Sequence, residues 1–183
     1  MESWKDVRKR EIAAGNDLDM KLTAQEEYGL RCLLRVASAG EAESVTIPEI
    51  GRAEALSIAY VAKLMRVLRQ GKLVKSVRGQ AGGYTLARRP QNIPVAEVLA
   101  LLGGRLFEPG FCDQFSGLKR TCTHSIDCSI RSLWRAVQGA VDVVLAGITL
   151  GDLLQKESDM NLRISGPVRG LAVSRDHQEV NRG

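Results

Sequence analysis

Histidine is nearly missing from this 183-residue chain: His124 and His177 are the only two. No serine, threonine or cysteine stands beside an evident base either, so a catalytic site finds no support and the chain reads as a non-enzyme. Long apolar runs are also missing. A bilayer needs about 20 consecutive apolar residues, and no uncharged stretch reaches that length. The opening MESWKDVRKREIAAGND mixes both signs of charge and has no apolar centre, so it is not a secretory signal. The expected compartment is the cytoplasm, where thiols stay reduced. Cysteines there suggest metal or redox chemistry rather than a disulfide framework. The Walker pattern and the dinucleotide fingerprint are absent, which weakens a nucleotide-binding reading of the glycines.

Charge is present, and unevenly spread. From Arg52 to Arg89 there are nine Lys or Arg residues and a single acid, Glu54, whereas the rest of the chain holds 17 basic and 20 acidic residues. The stretch carries a net +8 and the remainder −3, so all the positive excess behind the chain's net charge of +5 sits in one short stretch. A field so concentrated fits a polyanionic partner.

The pattern along the chain divides it. Residues 1–19 are polar and aperiodic and read as a flexible extension, before Met20 opens a patterned segment. Thr23 and Glu26 form a capping box for a first helix with Leu30, Leu33, Leu34 and Ala37 at helical spacing, ended by Gly40. Pro48 opens a short second helix. Ser57 caps a third, IAYVAKLMRVLRQG, whose apolar face is Val61, Leu64, Met65 and Leu68 and which Gly71 closes. LVKSVR and YTLAR flank the glycine-rich GQAGG and read as a β-hairpin. Pro94 begins a fourth helix. Residues 104–127 form a cysteine-bearing loop, 128–154 a long helix, and 155–183 a polar, flexible tail.

Two short helices at a tight turn followed by a hairpin make a winged helix-turn-helix, here spanning 20–103. The expected fold is mainly α with a small β-hairpin: that head plus a long dimerisation helix. The expected partner is double-stranded DNA. The major groove, about 12 Å wide, admits a helix whose N-terminal side chains meet base edges. Ala59, Tyr60, Lys63 and Arg66 lie on the outer face of the third helix, and small Ala59 and Ala62 allow close approach. Arg78 stands at the hairpin tip, placed for a narrow minor groove or a phosphate. The long helix carries Ile130, Leu133, Trp134, Val137, Ala140, Val141, Val144, Leu145 and Ile148, more apolar surface than a small head covers. That excess argues for a second copy, in a symmetric homodimer.

Cys112, Cys122 and Cys128 are spaced C-x9-C-x5-C. Three thiolates in a short loop suit a soft metal or an iron–sulfur cluster with one further ligand. His124 lies between two of them and offers a Cys₃His zinc site. Cys128 falls in the first turn of the long helix, with Asp127 as its expected cap, where the helix dipole favours thiolate. Cys32, in the middle of the first helix, is expected to be packing.

MKLTAQEEYGLRCLLRVA, LSIAYVAKLMRVLRQGKLVKSVRGQAGGYTLAR and CTHSIDCSIRSLWRAVQGAVDVVLAGITLGDLL resemble the Rrf-type winged-helix iron–sulfur transcription regulators, the IscR/NsrR/RirA-like group, over about residues 20–154. The resemblance implies a homodimer that senses iron–sulfur status, redox state or nitric oxide through a cluster on the three loop cysteines. It implies a fourth ligand at Glu27 of the partner subunit, Ser57, Tyr60 and Lys63 in the major groove, and Arg78 and Gly79 in the wing. The chain departs from the pattern at Arg131 and Arg31, where some members place a histidine ligand. Its first cysteine spacing is longer than the common one, which leaves 2Fe–2S and 4Fe–4S both open. Ala62 replaces an acid with which some members discriminate sites. Two alternatives remain: a zinc-binding or thiol-based redox regulator without a cluster, and, from another class, an iron–sulfur electron-transfer protein. The basic hairpin argues against the latter.

Overall fold

The computed structural model describes residues 23–40, 43–79, 82–105, 107, 112 and 127–176, with the side chains of 167–176 left aside. Among these, six α-helices, two short 3₁₀ turns and one antiparallel hairpin follow each other in chain order.

Helix α1, Ala24–Ser38, starts at the expected capping box: Thr23 Oγ1 accepts from Glu26 N–H at 3.2 Å while Glu26 Oε2 accepts from Thr23 N–H at 2.8 Å. Helix α2, Ile47–Glu54, has a second capping box, Thr46 with Glu49, which places its start just before Pro48. Such a cap stabilises a helix by about 1 kcal/mol. The chain turns at Ala55, in the left-handed region at φ 54°, and α3, Ile58–Gln70, begins behind its cap Ser57. The buried sides meet in one core. Cys32, Leu33 and Val36 from α1 and Ile50 from α2 pack against Val61, Leu64, Met65 and Leu68 from α3. Gly71 follows α3 as expected, but the left-handed residue is Lys72, at φ 57°.

Strands β1, Val74–Val77, and β2, Gly83–Leu86, pair antiparallel with Lys75 opposite Thr85 and Val77 opposite Gly83. Val45 adds a bridge to Tyr84, which ties the base of the hairpin to the segment ahead of α2. Gly83 is required there, since a Cβ would stand 2.8 Å from the Val45 carbonyl oxygen. A 3₁₀ turn, Pro90–Asn92, leads into α4, Val95–Gly103, whose Val98 and Leu102 complete the core.

Helix α5 runs over Ser129–Leu145, shorter than the expected 128–154. Gly147, at φ 76°, breaks it, and the chain turns back to the head. Ile148 and Leu150 are buried in that head instead of extending the helix stripe. Val95 N–H donates to Ile148 O at 2.9 Å, and Leu150 N–H to Ile93 O at 2.8 Å. A second 3₁₀ turn, Asp152–Leu154, follows. Within the tail expected over 155–183, residues 177–183 lie outside the described residues, and the described ones form helix α6, Glu157–Asp176, beside α5. Its sequence shows no apolar stripe, and Leu162 is 78% exposed, so periodicity gave no sign of it. Arg163 anchors it through an ion pair to Asp152 at 3.2 Å.

Candidate nucleic-acid interface and cysteine segment

The recognition surface is set by the cap of α3. Ser57 Oγ accepts from Tyr60 N–H at 3.3 Å, fixing the first turn. With Val61, Leu64, Met65 and Leu68 in the core, helical geometry turns Ala59, Lys63 and Arg66 outward, all exposed, while Tyr60 is half-buried at the edge. Tyr60 is held from behind: its ring meets Tyr28 of α1 edge-on, centroids 6.1 Å apart at 84°. The wing projects beside this face. Arg78 and Gly79 are exposed, and Gly79 adopts φ 110°, a conformation that side chains other than glycine's rarely tolerate.

All nine cations between Arg52 and Arg89 are exposed. Their surplus is therefore presented to solvent rather than consumed in the core. Arg88 is held by Glu97 at 2.6 Å and belongs to the scaffold. No ion pair among the described residues holds Lys63, Arg66 or Arg78. The structure thus brings Ala59, Lys63 and Arg66 onto one exposed face of α3, with Tyr60 at its edge and Ser57 at its N-terminal cap.

Glu27 is exposed in the first turn of α1. Arg31, one turn further, pairs with Glu54 at 2.8 Å and lies 5.6 Å from the Tyr28 ring centroid. The hydrogen bond to Glu54 raises the Arg31 pKa above its already high range, with further help from Glu27 and Tyr28. This cluster was not evident from sequence. Tyr28 and Arg31 at i, i+3 spacing were its signal, and Glu54, the lone acid of the basic stretch, was its unexplained partner.

The cysteine segment leaves α4 at Gly104 and is pinned to α5. Arg105 pairs with Asp142, and Phe107 N–H donates to the buried Gln138 Oε1 at 3.2 Å. Arg135 lies over the Phe107 ring at 6.0 Å. Cys112 is a half-buried free thiol. Cys128 is itself the N-cap of α5, in place of Asp127: its Sγ accepts from Arg131 N–H at 3.4 Å. Cys122 and His124 lie outside the described residues. Among the described residues no group of three or more His, Cys, Asp or Glu gathers in a way that could hold a metal ion. The donor types still fit a soft metal, since Cys112 and Cys128 are both free thiols. Cys32 is fully buried, and burial above all raises its thiol pKa to about 11. It is a packing residue, as expected.

A helix-turn-helix whose outer face is cationic, followed by a glycine-tipped wing, defines the class: a winged-helix DNA-binding regulator. The comparisons with known proteins give the family. Residues 22–156 match the model for Rrf2, an iron-dependent transcriptional regulator. The chain is 34% identical over 139 residues to Protein rrf2 of Nitratidesulfovibrio vulgaris (strain Hildenborough), covering 76% of this chain and 90% of that protein. It is similar to the solved structure of T. potens IscR (32% identity, TM-score 0.59, covering 74% of this chain and 86% of the other). It is also similar to CymR, the global cysteine regulator of B. subtilis (28% identity, TM-score 0.59, covering 74% and 96%). This chain belongs to the Rrf2 family of transcriptional regulators. Its relatives are regulators rather than enzymes. No helix among the described residues is long and apolar enough to cross a membrane.

Proposed function

We propose that the chain works as a homodimer that reads two DNA half-sites and responds to an iron–sulfur cluster. The observation that carries the DNA reading is the set of exposed cations Lys63, Arg66 and Arg78 on α3 and the wing, which make no ion pair among the described residues. In the DNA reading, Ser57, Ala59, Tyr60 and Lys63 face the major groove, Arg66 meets phosphate, and Arg78 with Gly79 approaches the minor groove. Support for the dimer comes from α5. Ile130 and Leu133 are each 55% exposed and Trp134 is 37% exposed, so this face has apolar area to bury against a second copy.

Cys112, Cys122 and Cys128 would hold the cluster, with Glu27 of the partner subunit as the fourth ligand. When bound, such a cluster supplies a tie sensitive to iron, oxidants or nitric oxide. The chain's own part is mechanical. Cys128 sits at the first turn of α5, and the segment before it is fastened to α5 through Arg105 and Phe107. A change at Cys128 is thus delivered to the start of the dimer helix, where a small rotation separates the two heads and alters half-site spacing.

Anaerobic purification is the direct test. Brown protein with iron and sulfide in near-equal amounts, losing its colour in a Cys112→Ala variant, is expected. Colourless protein with stoichiometric zinc supports a zinc regulator, in which His124 completes the site. Equal affinity of cluster-loaded and cluster-free protein for the same duplex, at the same salt, removes the sensing role.

A further inference from the structure

Two neighbouring side chains of α1 grip the helix-turn-helix turn on both sides. Before the turn, Arg31 holds Glu54, the last residue of α2, at 2.8 Å. After it, Tyr28 meets the ring of Tyr60 in the first turn of α3 at 6.1 Å. Arg31 also covers Tyr28, its guanidinium carbon 5.6 Å from the ring centroid, so the two grips are coupled. The segment between them is short: Ala55 in the left-handed region, Leu56, then the cap Ser57. Leu56 N–H donates to Gly51 O at 2.9 Å, which closes the turn on its own helix.

The placement of Glu54 is informative. A carboxylate at a helix C-terminus faces the negative end of the dipole and is disfavoured there. Glu54 is also the only acid in the basic stretch, and its side chain is only 17% exposed. A residue so placed needs a compensating cation, and Arg31 supplies it from another helix. Edge-to-face aromatic pairs are directional, so Tyr28 fixes the angle of the Tyr60 ring as well as its position.

We propose that Tyr28, steadied by Arg31 and Glu54, is a positioning residue that orients Tyr60 for sequence discrimination without touching DNA itself. This rests on the DNA-binding reading of α3. It assigns to α1 a share in operator specificity and predicts where that share enters: through the ring of Tyr60 rather than through charge.

The test uses the full-length protein and a duplex enriched by it from a random-sequence library, beside a scrambled duplex of equal length. Tyr28→Leu keeps apolar volume but removes the ring. It is expected to lose roughly tenfold in affinity for the enriched duplex, leaving scrambled-duplex affinity and the salt slope unchanged. Tyr28→Phe, which keeps the ring edge, is expected to bind like the parent. Glu54→Gln, at the far end of the chain of contacts, is expected to weaken the enriched duplex by about threefold with the scrambled duplex again unaffected. Parent-like discrimination by Tyr28→Leu, equal losses on both duplexes, or a Tyr28→Phe variant as weak as Tyr28→Leu would each overturn the proposal. Failure of the parent to enrich any duplex would overturn the DNA-binding reading itself.

Discussion

The Sγ of Cys128 accepts a hydrogen bond from the backbone N–H of Arg131 at 3.4 Å, so one thiol serves both as helix cap and as candidate ligand. The two roles separate by substitution. Cys128→Ser keeps an oxygen acceptor at the N-cap and is expected to retain helix content by circular dichroism while losing bound iron. Cys128→Ala removes both and is expected to lower stability further, by about 1 kcal/mol. Equal melting temperatures for the two variants would show that the cap contributes nothing.

Lys63 and Arg78 make no ion pair among the described residues, so their charge is available to phosphate. Replacing Arg78 with Ala is expected to weaken binding to all duplexes and to reduce the slope of log affinity against log salt by about one. Lys63→Ala on the helix face is expected to lower the ratio of specific to non-specific affinity if it meets a base edge. A salt titration of each variant reads both effects.

The wing depends on backbone that only glycine supplies easily. Gly79, at φ 110°, has open space around it, so Gly79→Ala tests conformation alone. It is expected to cost about 1–3 kcal/mol locally and to weaken DNA binding with little change in global melting. At Gly83→Ala a Cβ would press on the Val45 carbonyl oxygen, so loss of the bridge to Tyr84 is expected, seen as faster amide exchange at Tyr84.

Thr46 hydrogen bonds, from backbone first and side chain second, lower the pKa of Glu49 below its ordinary 4.5. A carboxylate with a lowered folded-state pKa adds stability that is present above the unfolded pKa and is lost as pH falls through the folded value. The melting temperature is therefore expected to drop below about pH 4.5, with Glu49→Gln losing less over that range than the parent. In Asp152, burial pushes the pKa up, but hydrogen bonds from Thr149 and the charge of Arg163 outweigh it, so the net shift is downward and acts in the same sense.

Cys32 is fully buried, whereas Cys112 and Cys128 are only half-buried. The raised pKa of Cys32 keeps it protonated near neutrality, and the core covers it. In metal-free protein, Cys112 and Cys128 are expected to be alkylated first and Cys32 only on unfolding. Mass mapping after a short iodoacetamide pulse checks this order.

Helices α1 to α3 and the hairpin were legible because each carried redundant local signals. Thr23 with Glu26, Ser57 before a four-residue apolar face, and GQAGG between β-rich segments agree with the core that forms. The outward positions of Lys63 and Arg66 followed from the same periodicity. What escaped was made by tertiary contact. Ile148 looked like one more apolar helix position, yet Gly147 breaks the helix and backbone pairing with Val95 draws the residue into the head. Helix α6 has no apolar stripe to reveal it. Cys128 read as a ligand gave no hint that it would replace Asp127 as the cap. The grip of Tyr28 on Tyr60 joins residues far apart in sequence, beyond the reach of any local pattern.

The most direct measurement is a competition by fluorescence anisotropy between the enriched duplex and its scrambled counterpart at one near-physiological salt concentration. Preference for the enriched duplex by at least about 10³ in affinity is expected if α3 and the wing read sequence. Equal affinities, or no binding to either, would contradict it.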